Sequence, residues 1–491
     1  MLHLTVAFPG AGKRRYFDLP EGVTLTELRR SACEIFRLGF LRLIAPNCVL
    51  LTDPHSTLKD AGLKDGDHIT ALVLPISIAT NGLAFAVSST ASTAIVDWGY
   101  PPHWCEEGVL ETAIPTCHSN VECLTGNFEY GFAAILSDGS VVTWGCAFCE
   151  ENIQADPLQL CGVQSIQTNP VAFAAIKQDG SVVTWGEKDF GGDSSSIQHE
   201  LYNVQEVQAA EMAFAAIRAD GTVVTWGSPK FGGDSSHVQA RLKEVQAIQS
   251  TRYAFAAILA SGEIVTWGDP ANGGDSACVQ NQLHCVKSVQ ATWGAFAAVT
   301  EAGLVISWGD PQVGGDCSHV QELLRHVQAV QATSTAFAAI LANGTVITWG
   351  NATEGGDSFH VQRKLVNVQA IQATLDAFAA IRNDGSVVTW GRASSGGNSN
   401  VVQHQLKAVQ CIHATHGAFA AVLATGSVVA WGDANSGGDH SSVQQHLQNV
   451  THIQASHRAF AAMTSDGNIF AWGARWAGGD NTIVRDRLMR L

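Results

Sequence analysis

The sequence predicts a mainly β protein, with a small β-rich domain over residues 1–74 and a tandem-repeat β-propeller over residues 75–491. Three observations predict it. A Trp-Gly pair recurs at a fixed period, short apolar segments meet across Asp-Gly or Asn-Gly turns, and apolar residues alternate at the N-terminus. An open repeat solenoid is the alternative for the second part, because about ten units exceed the four to eight blades usual for propellers.

The pair stands at Trp98, Trp144, Trp185, Trp226, Trp267, Trp308, Trp349, Trp390, Trp431 and Trp472; the first gap is 46 residues and the other eight are 41 each. A constant period of this length marks an array of supersecondary units that bury their apolar faces against one another. These tryptophans are therefore expected to be structural.

Each unit reads as a β-hairpin, a short helix and a further strand. Segments such as Ala172-Phe173-Ala174-Ala175-Ile176 and Val182-Val183-Thr184-Trp185 flank Asp179-Gly180, and Gly supplies the positive φ of a tight hairpin turn. The alanines suggest a strand near a propeller axis, where large side chains would collide. The Gly191-Gly192-Asp193 group and its equivalents break the chain and offer a helix cap. Val238, Leu242 and Val245 then follow at i, i+4 and i+7, as one buried helical face demands. Ile248 continues that spacing, yet the V-Q-x-I-Q-A-T segment runs into the next A-F-A-A through a two-residue break, which favours a strand. Residues Ile78 to Phe85 align with Ile166 to Phe173, and the C-terminal G-G-D segment supplies the helix, so the two ends are expected to complete one unit and close the ring.

The recurring x-D-G-x-V-x-x-W-G followed by a glycine pair resembles the regulator of chromosome condensation repeat family and the propeller-type β-lactamase inhibitor proteins. The resemblance spans roughly residues 75 to 491. It implies a β-propeller that acts by binding other proteins. Some members of these families exchange guanine nucleotide on a small GTPase through a wedge inserted in the ring, and others precede a ubiquitin-ligase catalytic domain. Here the equal gaps leave room for a wedge only between Gly99 and Phe132, and no ligase domain is expected after Leu491.

In the N-terminal domain Leu2, Leu4 and Val6 alternate as a half-buried strand, and a second strand follows around Tyr16 to Leu19. Thr24-Leu25-Thr26-Glu27 is a capping box opening a helix whose inward face carries Leu28, Ala32, Ile35 and Phe36. With the closing stretch from Leu41 to Leu74, this order resembles the ubiquitin-like β-grasp fold. The resemblance places Arg42, Leu43 and Ile44 on the family's recognition strand and Leu72 on the strand beside it. Ile44 and Leu72 are thus candidate partner-binding residues, set against the plain reading of ordinary sheet residues. No Gly-Gly tail follows Leu74 and Cys48 stands where ubiquitin has a chain-forming lysine, so a docking module rather than a conjugated tag is expected.

Composition bounds the function. Of the formal net charge of −16, residues 1–76 carry 9 basic against 8 acidic side chains, which leaves 19 basic and 36 acidic for the remainder. Such a surface repels phosphate backbones and anionic lipid, so neither nucleic acid nor membrane is an expected partner. The N-terminus lacks the order of a signal peptide and no apolar run could cross a bilayer; a cytoplasmic or nuclear protein with mostly reduced thiols is expected.

Cys146 and Cys149 have zinc-ligand spacing, in a region that also holds Cys105, Cys117, Cys123 and Cys161, but a second pair at that spacing is missing. Plain thiols are the better reading. His237, His319 and His360 share one register and read as solvated. One Asp per unit is too few ligands for calcium. No cofactor, metal or catalytic constellation is expected. The reading is a non-enzymatic scaffold in which the array binds a protein through residues that vary between units, for instance Lys188, Phe190, Lys230 and Phe231, while the N-terminal domain docks to ubiquitin or proteasome machinery. Nucleotide exchange on a small GTPase, or a non-catalytic place in a ubiquitin ligase, is the alternative; the oligomeric state is not readable.

Overall fold

The computed structural model describes residues 2–7, 14–25, 27–28, 31–32, 41–46, 51, 56–73, 76–80, 84–89, 95–99, 121–127, 131–145, 160–465 and 468–482. Four strands form a mixed N-terminal sheet: β1 (Leu2–Ala7), β2 (Arg14–Leu19), β3 (Leu41–Ile44) and β4 (His68–Val73), in the order β2-β1-β4-β3. β1 runs antiparallel to β2 and parallel to β4, with Leu4 opposite Phe17 and Val6 opposite Ile69. Leu2, Leu4, Val6, Phe17, Leu28, Ala32, Leu43, Ile69 and Ala71 make its core. The capping box forms in both directions: Thr24 N–H donates to Glu27 Oε2 (2.8 Å), and Glu27 N–H donates to Thr24 Oγ1 (3.3 Å). Ile35, Phe36 and Cys48 lie outside the described residues.

The array comprises ten three-stranded antiparallel sheets among the described residues, each drawn from one continuous segment. In one unit these strands are Val204–Ala209, Ala213–Arg218 and Val223–Gly227, with Phe214 directly opposite Trp226. The two rings stack at 5.3 Å between centroids, and each further unit repeats the pair. Every repeat tryptophan from Trp144 to Trp472 is buried, as is Trp98.

Two expectations change in detail. The A-F-A-A strand is the middle strand, whereas consecutive V-Q-x-I-Q-A strands touch one another around the array and so form its inner wall. The alanines are fully buried for another reason: Ala213 and Ala215 let the next unit's Phe255 and Trp267 pack flat against the sheet. The segment after the G-G-D of Asp193, Asp234, Asp275, Asp316, Asp357 and Asp439 is a short 3-10 turn, such as Gln239–Arg241, and not an α-helical face. Val238 precedes that turn, Leu242 ends it at φ −78° and ψ 71°, and Val245 already begins a strand. Their spacing reflects a chain folding back three times onto one core.

The turn is short because it has a specific task at the sheet edge. Gln239 Nε2 donates to Val223 O (2.8 Å), and its Oε1 accepts from Ser235 Oγ (2.9 Å), which pairs in turn with Thr225 Oγ1 (3.0 Å). A glutamine side chain thus takes the place of a fourth strand, as an exposed edge would otherwise template pairing with another chain. Gln198, Gln280, Gln321, Gln362 and Gln403 repeat the bond in their own units. The aspartate of G-G-D closes an Asx turn: Asp234 Oδ1 accepts from Ser236 N–H at 2.9 Å.

Neighbouring units are joined by one recurring contact. The indole N–H of Trp267 donates to Gly232 O of the preceding unit (3.1 Å), and Trp226, Trp308, Trp349, Trp390, Trp431 and Trp472 do the same to Gly191, Gly273, Gly314, Gly355, Gly396 and Gly437. Gly232 sits at φ +102°, and a Cβ there would lie 2.5 Å from the Phe255 ring. No other residue type fits.

The same joint closes the ring. Trp98 Nε1 donates to Gly478 O (2.9 Å), and a Cβ on Gly478 would lie 2.5 Å from Phe85. The sheet of β5 (Ile76–Thr80), β6 (Phe85–Ser89) and β7 (Ile95–Trp98) packs on Ala459, Ala461, Ile469 and Ala471 on one side and on Val121, Phe132 and Trp144 on the other. Closure therefore comes from face-to-face packing of the first and last sheets, and among the described residues no sheet is shared between the two ends of the array.

Candidate functional site

Two of the places at which the units of this chain differ are the turn after each Trp-Gly and the two-residue break before each A-F-A-A. The structure brings the two together. Thr251 Oγ1 donates to Asn272 O in the turn (3.0 Å) and accepts from Ala254 N–H (3.0 Å). Thr292, Thr374, Thr415 and Ser456 clamp their own turns in the same way. A repeated hydroxyl thus fixes the backbone of both variable segments and leaves their side chains free to differ.

The break residues form a rim. Glu211 N–H donates to Arg252 O (2.9 Å), Arg252 to Trp293 (3.1 Å), Trp293 to Ser334 (2.9 Å), Ser334 to Leu375 (2.9 Å), Leu375 to His416 (3.1 Å) and His416 to His457 (2.9 Å). Each position lies 41 residues after the last, so the ladder runs from unit to unit. Pro170 holds the position before Glu211 and has no N–H to add.

Side chains divide the rim into arcs. On the first, Arg252 lies flat over Trp293, 3.6 Å from its centroid, and its Nε is 3.4 Å from Glu211 Oε2. Trp293 keeps 39% of its surface exposed. Phe231 packs on Tyr253 at 4.7 Å, with Lys230 Nζ 5.1 Å above the Phe231 ring. On the second arc Arg392 joins Glu354 and Asp376, which also accept from Thr335 Oγ1 (2.6 Å) and Ser395 Oγ (3.0 Å). On the third, the His416 and His457 rings stack at 4.0 Å beside Arg458, whose guanidinium lies 5.8 Å from the Trp476 ring. Burial, then His416, then Arg458 push the His457 imidazole down to about 4; burial and Arg458 lower His416.

Of the residues singled out from sequence, Lys188, Phe190, Lys230 and Phe231 lie on the turns of this face. Lys188 and Lys230 are exposed, and Phe190 O accepts from Asn169 Nδ2 at 2.7 Å. Ile44 is half-buried opposite Thr70, and Leu72 pairs with Arg42. His237, His319 and His360 are exposed at the outer edge of their units, and no group of three metal-ligating side chains gathers among the described residues. Cys146, Cys149, Cys105 and Cys117 lie outside those residues; Cys123 and Cys161 are exposed. Sequence reasoning missed Glu211, Arg252, Tyr253, Trp293, His416, His457 and Arg458. The signal was there: the seven pairs from Glu211-Met212 to His457-Arg458 are all different.

No protein-family model matches the chain, and no curated protein matches it. Among solved structures it is similar to a computationally designed protein, Ika8, at 16% identity and TM-score 0.31, over 66% of this chain and 98% of that one. It is similar to the ectodomain of the receptor kinase CR4 of Physcomitrella patens at 14% identity and TM-score 0.30, over 56% of this chain and 72% of that one. Prp20p of Saccharomyces cerevisiae matches at 16% identity and TM-score 0.30, over 47% of this chain and 72% of Prp20p. These are distant matches.

Proposed function

We propose that the chain is a non-enzymatic scaffold that holds a protein partner across the rim of its ring. One observation carries this reading: the break residues of seven successive units are joined by one backbone ladder, and the residue pair there differs in every one of them. Arg252, Trp293, Tyr253 and Phe231 are of the residue types that dominate interface energetics, and Arg252 is already oriented by Glu211 and Trp293.

The N-terminal sheet is read as a ubiquitin-like β-grasp domain that docks to ubiquitin or proteasome machinery. Its strand order, its capping box and the place of Ile44 beside the buried Leu43 support that reading. Affinity capture with the full chain tests both parts. Trp293→Ala is expected to lose the rim partner at unchanged folded yield, whereas Val401→Ser, at an exposed position of the outer edge, is expected to keep it. Ubiquitin-pathway proteins are expected to depend on Ile44 and Leu72. A partner set indifferent to Trp293→Ala and Arg252→Ala together overturns the rim reading.

A further inference from the structure

The third arc differs from the others in its electrostatics. The first and second arcs carry their own counter-charges, Glu211 against Arg252 and Glu354 with Asp376 against Arg392. Around His416 and His457 the acidic groups are spoken for. Asp376, next to Leu375 on the rim, is held by Arg392 and Ser395. Asp433, in the turn under Gly417, accepts from Asn435 N–H (3.1 Å) and Ser436 Oγ (2.7 Å). In the last turn Asp480 lies 3.3 Å from Arg475 Nε. Arg458 has no carboxylate within ion-pairing distance among the described residues and rests against the Trp476 ring instead.

We propose that His416, His457 and Arg458 form a binding site for an oxyanion, a carboxylate or phosphate group carried by the protein that docks on the rim. The inference rests on the rim reading. The geometry supplies what such a group requires. Two imidazoles stack at 4.0 Å, held by the backbone bond between His416 N–H and His457 O, and a guanidinium follows directly in the chain. Guanidinium groups bind carboxylate and phosphate through paired N–H donors. Both imidazoles are largely neutral when the site is empty, since burial and Arg458 disfavour their charged forms. An anion reverses that balance, as a negative charge within hydrogen-bonding distance stabilises imidazolium. Binding therefore takes up protons, and it tightens as pH falls.

The test needs no partner. The full-length protein is titrated by NMR, following the ring protons of His416 and His457, in chloride, in acetate and in inorganic phosphate at equal ionic strength. An upward movement of the His457 titration by about one pH unit in acetate or phosphate, with exposed His360 unmoved, is the result expected. The two anions separate carboxylate from phosphate as the preferred group. Arg458→Gln is expected to remove the movement while His416 and His457 stay stacked, as read from their ring-current shifts. Titrations identical in all three salts, or a movement that survives Arg458→Gln, overturn the site. Either failure leaves partner capture through Trp293 standing, so the two readings fail separately.

Discussion

At eight of the joints between units the same three groups recur, a Trp indole, a Gly carbonyl and a Phe ring, whereas Trp144 donates to Asp97 Oδ2 instead. At the rim, one hydrogen-bonded step away in each unit, no residue pair recurs. Both regions lie under one backbone geometry, so the difference comes from what each position must satisfy. A joint position faces a neighbouring unit that has no latitude, since packing at interior density penalises any change of volume. A rim position has its backbone already clamped by the Thr hydroxyl, so its side chain can be an exposed Trp293 in one unit and a buried Ser334 in the next. Within a repeat array, identity marks the structure and difference marks the surface available for binding.

The largest effect expected from this contrast is at a joint. Trp349→Ala removes a fully buried indole and leaves Gly314 O without its donor, and loss of a buried aromatic costs about 3–5 kcal/mol. Chemical denaturation of the full chain should show a large fall in the midpoint, while Arg252→Ala and Leu375→Ala at the rim stay within about 0.5 kcal/mol, the range of ordinary surface substitutions. Similar losses at the joint and the rim would break the comparison.

A smaller effect separates a closed ring from an open array. Trp98→Phe deletes the bond to Gly478 O and keeps most of the apolar volume; stranding a buried acceptor costs about 1–3 kcal/mol. Trp308→Phe makes the same change at an internal joint, where Gly273 O is the acceptor. In a closed ring the two substitutions lower the thermal midpoint alike. If Trp98→Phe were silent and Trp308→Phe costly, the first and last sheets would not be joined in solution.

How much of this was legible in the sequence follows from the same contrast. The Trp-Gly period, the hairpin turn and the final strand could be read because each depends on local chain geometry repeated many times over. The helical reading of Val238, Leu242 and Val245 failed because an i, i+4, i+7 spacing reports which residues are buried and not which backbone buries them. What decides the 3-10 turn is a contact 16 residues away, between Gln239 and Val223 O, and spacing carries no trace of it. The rim was half legible. Phe231 and Lys230 stand out as variable, but their apposition to Tyr253 and Arg252 needs the clamp between Thr251 and Asn272.

The smallest effect is the one that sharpens the criterion itself. Another position also varies between units, at Asn203, Glu244, Cys285, His326, Asn367, Ala408 and Asn449, and there every residue holds a positive φ between 51° and 57°. Three of the seven are asparagine, the non-glycine residue best suited to left-handed backbone. Variation at this position therefore trades backbone strain and presents no binding chemistry of its own. Ala408→Asn is expected to raise stability by roughly 0.5–1 kcal/mol, part of the cost of left-handed geometry for an L-residue, and Asn367→Ala to lower it by as much, both read from denaturation midpoints. Neither should alter capture of the rim partner, because Asn367 and Ala408 lie at the start of the first strand, away from the break that forms the rim. If Ala408→Asn changed partner binding and left stability untouched, difference between units would mark function at this position too, and the rim would lose its claim to be the place where the chain meets its partner.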